Sequence, residues 1–158
     1  MNLFEGGGNK ERHRFTPSKA VRDRISKWEG NAMVKDTVDP LSGKLVKRNN
    51  SFENEAAAFV NAIPPALRRT VLSNQDLADH LYSYSYNVGA GRFKERVVPK
   101  LIDYYNGKAT IDDVTSSMWA AGDTKLKGLR LRREVEKEGV RDALQNMIKP
   151  YTTSSVVE

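Results

Sequence analysis

The sequence predicts a mainly α single domain (α+β), with at most a small β-hairpin near residues 38–46. Three observations predict it. Leu77, Leu81, Tyr84 and Val88 recur at four, three and four residues, the spacing of one helix face. Residues that start helices stand before successive helical patterns, with Thr16-Pro17, Ser73-Asn74 and Thr110 as the clearest cases. One stretch, 31–51, departs from helical patterning, and it contains Asp39-Pro40-Leu41-Ser42-Gly43, a strong turn signal.

Each element follows from its residues. Residues 1–15, with Gly6-Gly7-Gly8 and a polar run, read as a flexible N-terminal arm. Thr16 is expected to cap a first helix with Pro17 in its first position, and Val21, Ile25 and Trp28 supply its apolar stripe. Gly30 is a suitable stop and leaves Glu29 at the C-terminal end. Val38 and Leu45-Val46 flank the turn at 39–43 and suit either a short hairpin or a loop. An alanine-rich helix near 53–62, a break at Pro64-Pro65 and a short helix to Leu72 follow. Ser73 or Asn74 caps the central helix, which runs to about Val88, where Gly89 and Gly91 allow a sharp turn. A helix over 92–106 must kink or break at Pro99 and ends at Asn106-Gly107. Thr110 caps a segment through Trp119 that ends at Gly122, and a last helix covers 127–148. A single domain thus spans 16–149, with 150–158 as a polar tail.

Composition narrows the function. With 158 residues, the chain is long enough to bury roughly two thirds of its unfolded surface. It has no cysteine, which removes disulfides and thiolate zinc sites. His13 and His80 lack a companion at ligand spacing, so neither a histidine metal site nor a Ser-His-Asp triad is supplied. No metal or other cofactor is expected. No apolar run approaches the ~20 residues of a membrane span, and the N-terminal residues lack the apolar stretch of a secretory signal. The net charge of +6 favours an anionic partner, which charge alone leaves open between nucleic acid and a wall polymer. The nucleic-acid reading rests only on that charge and on the basic cluster at 125–133, where Leu126, Leu129 and Leu131 suit packing, and it ranks last.

Three motifs in order narrow it further. Ile-Ser-Lys-Trp-Glu-Gly at 25–30, Tyr-Asn-Val-Gly-Ala-Gly-Arg-Phe at 86–93, and Met-Trp-Ala-Ala-Gly with Gly-Leu-x-x-Arg-Arg-x-x-Glu over 118–136 resemble the phage-type lysozymes. The resemblance spans about 16–140 and implies a lysozyme-like fold and a muramidase acting on peptidoglycan. A monomer is expected that makes no nucleic-acid complex and does not insert in the membrane. Such a protein is made in the bacterial cytoplasm and released to the wall by another factor, or carried in the virion. It belongs either to the lysis system as an endolysin or to the phage particle.

Cleaving a glycosidic bond takes a proton donor at the leaving oxygen and usually a second carboxylate opposite it. An ordinary glutamate titrates near pH ~4.3, and holding such a donor's proton to about pH 6 takes roughly 2 kcal/mol of bias against the charged form. The C-terminal end of a helix supplies ~0.3–1 kcal/mol, and desolvation must supply the rest against any nearby arginine. Glu29, beside Trp28 at a helix end, is placed for both effects, and the resemblance assigns it the acid's role. Either Arg132 or Arg133 corresponds to an arginine that approaches the catalytic glutamate in the family, and Arg132 is taken as the binding residue. Their bare alternative is ion pairing with Glu134, Glu136 or Glu138. Two adjacent arginines point to different parts of a helix surface, so one role for both is not expected.

The second carboxylate is less plain. The family's Gly-x-x-Thr-x-Gly-Tyr-Gly hairpin is missing from 31–51. Asp36 and Asp39 remain, and Asp39 precedes Pro40 as a turn starter would. Asp36 is preferred, with Thr37 as the substitute for the missing hydroxyl. Asn87, after the central helix, is a substrate-binding candidate or a local turn residue. Tyr82, Tyr84, Tyr86 and Trp119 offer ring faces to sugars, although helical spacing makes most of the tyrosines core. His80 lies outside the apolar stripe and reads as a boundary residue.

Overall fold

The computed structural model describes residues 13–29, 37–38, 45–46 and 50–157, with 37–38, 45–46, 50 and 148–157 described as backbone alone. Among these residues the order is α1 (Lys19–Glu29), β1 (Thr37–Val38), β2 (Leu45–Val46), α2 (Asn50–Ala62), α3 (Pro65–Leu72), α4 (Gln75–Val88), α5 (Ala90–Arg96), α6 (Val98–Tyr105), α7 (Ile111–Ser116) and α8 (Lys127–Val157). The architecture is mainly α, as the periodicity predicts. The strands β1 and β2 pair antiparallel, with Thr37 opposite Val46 and Val38 opposite Leu45, as the expected small hairpin requires; the turn signal at 39–43 lies outside the described residues.

The central helix α4 packs against α1, α2, α3, α5 and α8. Asn74 rather than Ser73 caps it, its side chain accepting the Leu77 N–H at 3.2 Å. Leu77, Leu81, Tyr82 and Tyr84 are fully buried, and Tyr82 joins Phe59 and Phe15 in an aromatic cluster with ring centroids 5.3–5.9 Å apart. Phe15 therefore anchors the segment before α1 in the core. Gly89 ends the helix at φ 98, a value at which L side chains are strained.

Another face of α4 is polar. Gln75, Asp79, Ser83 and Asn87 recur every four residues and form a seam toward α1 and α8. Gln75 donates to the Thr16 carbonyl at 3.1 Å and to Asp79 at 2.8 Å. Asp79, buried, accepts the Ser18 N–H at 3.1 Å. Ser18 in turn accepts the Val21 N–H through its hydroxyl, at 3.2 Å. The first helix thus starts at Lys19 with Ser18 as its cap, two residues beyond the expected Thr16 start, because the Thr16 carbonyl accepts from Gln75 while the Ser18 carbonyl takes the first helical bond, from Arg22 N–H.

Other boundaries shift for local reasons. The expected 92–106 helix divides at Val97 rather than at Pro99, because Pro99 sits in the first turn of α6, where a missing N–H loses no partner. Thr110 and Asp113 form a reciprocal capping box, at 3.1 and 2.8 Å, but α7 stops at Ser116 instead of running to Trp119. The Ser117 hydroxyl donates back to the Val114 carbonyl at 2.6 Å, and outside donors take the Trp119 carbonyl. Helix α8 continues beyond residue 148 to Val157, with no glycine after Gly139 to stop it. A Cβ at Gly139 would lie 2.1 Å from the His80 ring, so this glycine lets α4 and α8 approach closely. His80 is thus half-buried at the α4–α8 contact, its Nδ1 donating to the Asp76 carbonyl at 2.7 Å.

Candidate active site

Glu29 ends α1 facing α8, and its carboxylate accepts from Arg132 Nη1 at 3.2 Å while a third of the side chain stays exposed. Arg132 itself is 2% exposed. Its Nη2 donates to the Ser83 carbonyl at 3.1 Å and its Nε to Glu136 at 3.2 Å. Its guanidinium lies 4.7 Å from the centre of the Trp28 ring. Every face of this cation therefore has a fixed partner, and only its outer edge meets a partly exposed carboxylate.

Behind it lies a buried charge cluster. Glu136 is fully buried and accepts the Ser83 hydroxyl at 2.6 Å, Arg132 Nε, and Arg133 Nη1. Arg133 also donates to Asp123 at 2.9 Å and to Asn87 Oδ1 at 2.7 Å, and stacks on Tyr84 at 4.7 Å. The expectation that adjacent arginines would serve separate ends is corrected here. Both converge on one carboxylate because Glu136 stands at i+4 from Arg132 and i+3 from Arg133, and both spacings bring side chains together on a helix. The ion-pairing alternative and the approach to Glu29 coexist in Arg132, since a guanidinium has five donors.

Asn87 is held through Arg133, away from direct contact with Glu29 in the hydrogen-bond pattern. Thr37 lies in β1, where only the backbone is described, and Asp36 and Asp39 fall outside the described residues. Tyr82 and Tyr84 are core residues, whereas Trp119 is 50% exposed, with Arg96 stacked 4.0 Å over its ring. The Tyr84 hydroxyl and Arg96 Nη1 both donate to the Trp119 carbonyl, at 2.7 and 2.9 Å. The basic cluster at 125–133 loses Arg132 and Arg133 to this buried set, which removes part of the charge on which a nucleic-acid reading rests.

Ser83 and Asp123 were not singled out by sequence reasoning. The signal for Ser83 was available: it continues the four-residue spacing from Asp79 to Asn87 on a helix otherwise rich in buried apolar residues. Asp123, in a turn after Gly122, has no such periodic mark. A cavity of about 840 Å³ between the segment before α1, α1 and α2 is lined by none of the residues that contact Glu29 or Glu136. Among the described residues no group of three or more His, Cys, Asp or Glu side chains could hold a metal, and no helix is long and apolar enough to cross a membrane.

Comparison with known proteins agrees with the motif order. The family model described as Phage lysozyme matches residues 13–136. The SAR-endolysin of Enterobacteria phage PA-2 is 40% identical over 58 residues, 37% of this chain and 34% of that protein. The SAR-endolysin of Bacteriophage PS34 is 38% identical over a stretch covering the same shares. The chain spans about a third of the length of these curated relatives. No solved structure matches.

Proposed function

Since this chain belongs to the phage lysozyme family, we propose that it is a phage peptidoglycan hydrolase, an endolysin or virion-associated lysin. Its reaction is hydrolysis of the bond between N-acetylmuramic acid and N-acetylglucosamine. Glu29 is the general acid, giving its proton to the leaving glycosidic oxygen. A water adds to the anomeric carbon from the opposite face, and Asp36 takes its proton. Thr37 and Asn87 line the sugar site, and neither metal nor cofactor takes part. The family's inverting outcome requires the two carboxyl groups to stand roughly 6.5–9.5 Å apart.

The observation that carries this reading is the Glu29–Arg132 contact. Arg132 is immobilised by Glu136, the Ser83 carbonyl and Trp28. It therefore offers fixed positive charge to the carboxylate that Glu29 becomes after proton transfer, with no reorganisation at that moment. Partial exposure leaves the same carboxyl reachable by substrate. The protein acts as a monomer on the wall after release by another factor or delivery in the virion, and net positive charge assists adhesion to anionic polymer.

Glu29→Gln tests the assignment on purified peptidoglycan. The expected loss in turbidity clearing is at least ~10²-fold, the usual contribution of a positioned acid, in a variant that still unfolds cooperatively. An undiminished rate sinks the role of Glu29. A second reading, a lysozyme-like wall-binding or structural particle protein that no longer cuts, is favoured by the missing Thr-x-Gly-Tyr-Gly pattern in 31–51. Mass analysis of released muropeptides separates the two, since only the first reading yields products cut at the muramyl bond.

A further inference from the structure

Among the described residues, no hydrogen bond explains the placement of Arg24 near this cluster. Its Nε and Nη2 are buried without an acceptor among the described residues, an uncommon and costly state for a guanidinium. What it has instead is an aromatic face and a set of charges. One turn before Trp28 on α1, its guanidinium lies 5.1 Å from the indole centre, while Arg132 lies 4.7 Å from the same ring. Trp28 thus contacts two cations, and Glu29 follows it directly in the chain. Burial holds the Arg24 guanidinium below its ordinary pKa, with Glu136 and Asp79 opposing that shift and Arg132 adding to it.

The shared indole bears on where Arg132 sits. Arg132 touches two carboxylates at equal distance, Glu29 and Glu136, both at 3.2 Å. With Arg24 on the same indole, the ring meets a second cation from its own helix, which fixes the surface that Arg132 packs on while Arg132 Nε reaches Glu136 and Nη1 reaches Glu29. The indole meanwhile supplies a rigid surface against which Arg132 can settle. We propose that Arg24, acting through Trp28, is a positioning residue for the Glu29–Arg132 pair. Its effect on the rate rests on the hydrolase reading above; its effect on Arg132 does not.

The test uses the full chain with Arg24→Met and Arg24→Gln, which remove the charge, and Arg24→Lys, which keeps it. The Nε–Hε resonance of Arg132, identified by its loss in Arg132→Lys, reports the arginine's surroundings whether or not the protein cuts. The neutral variants should shift this resonance and speed its hydrogen exchange, and Arg24→Lys should restore much of both. On peptidoglycan, the neutral variants should lower kcat about tenfold or more with KM within about twofold, as expected of a displaced catalytic group. An Arg132 resonance unmoved in a folded neutral variant overturns the proposal. A moved resonance with no wall cleavage by the wild type retains the positioning and overturns the hydrolase reading alone.

Discussion

Glu136→Gln is the sharpest perturbation of the buried cluster. Its wild-type Oε2 accepts the Ser83 hydroxyl at 2.6 Å and Arg132 Nε at 3.2 Å, and Oε1 accepts Arg133 Nη1. An amide has one oxygen, so in either orientation its NH2 faces a donor. With the oxygen kept toward Ser83 and Arg132, the NH2 meets Arg133, and two guanidinium groups only 2% and 3% exposed lose their shared counter-charge. Removing one partner of a buried ion pair costs ~3–5 kcal/mol. Arg133 keeps Asp123 and Asn87, and Arg132 keeps Glu29 and the Ser83 carbonyl, which places the cost near the lower end, at about 3 kcal/mol. For a domain of this size that lowers Tm by roughly 6–12 °C. Urea unfolding followed by far-UV circular dichroism at pH 7 measures it, with an unchanged m value showing that the unfolded state is not altered. Glu134→Gln, an exposed neighbour, should stay within about 0.5 kcal/mol of wild type. A Glu136→Gln protein within 1 kcal/mol of wild type, an outcome roughly a third of the expected cost, would refute the reasoning.

Further tests address single elements. Thr110→Ala removes the hydroxyl from the α7 capping box and should cost about 1 kcal/mol in urea unfolding. The Thr110 backbone N–H, with its hydroxyl, holds the Asp113 carboxyl below the ordinary range; this contribution is present above the unfolded carboxylate's pKa and is lost as pH falls through the lower folded value. Asp113→Asn should therefore flatten the acid side of the stability profile, whereas an unchanged slope in pH-dependent melts would contradict the box. Gly89→Ala forces a side chain into φ 98 and ψ 144, and should lose about 1–3 kcal/mol by thermal unfolding although nothing within 4 Å blocks the methyl group. A neutral result there would show that the turn relaxes to another backbone conformation.

The fold was legible where one periodicity dominated. Leu77, Leu81 and Tyr84 announce α4, and they are buried as their spacing requires. The Asp39-Pro40 turn with Val38 and Leu45-Val46 announced the hairpin, but strand signals so short could not be told from a loop. Boundaries moved where a distant partner intervened: Ser18 stands in place of Thr16 at the head of α1 because Gln75, 59 residues away, takes the Thr16 carbonyl. At the site, Glu29 and Arg132 were legible together through motif order, and their contact follows from the way α1 and α8 pack around α4. The convergence of Arg132 and Arg133 was less legible, because Glu134, Glu136 and Glu138 all stood within pairing range and only burial singles out Glu136. Ser83 was missed for a related reason. The apolar spacing of its neighbours dominates α4, although polar residues can mark a helix face by the same period.

That polar face of α4 has a consequence for how the protein can change over generations. Apolar contacts tolerate swaps that keep volume and pattern, so a greasy interface can drift one residue at a time. Gln75, Asp79, Ser83 and Asn87 instead meet donors and acceptors on the segment before α1 and on α8, each fixed by direction as well as distance. Losing one member strands its partner, while losing both can be nearly neutral. Substitutions at Ser83 and Glu136, or at Asn87 and Arg133, should therefore be non-additive by about 0.5–3 kcal/mol. The paths open to such a seam run through paired changes, and single steps along it are closed by the cost of the intermediate.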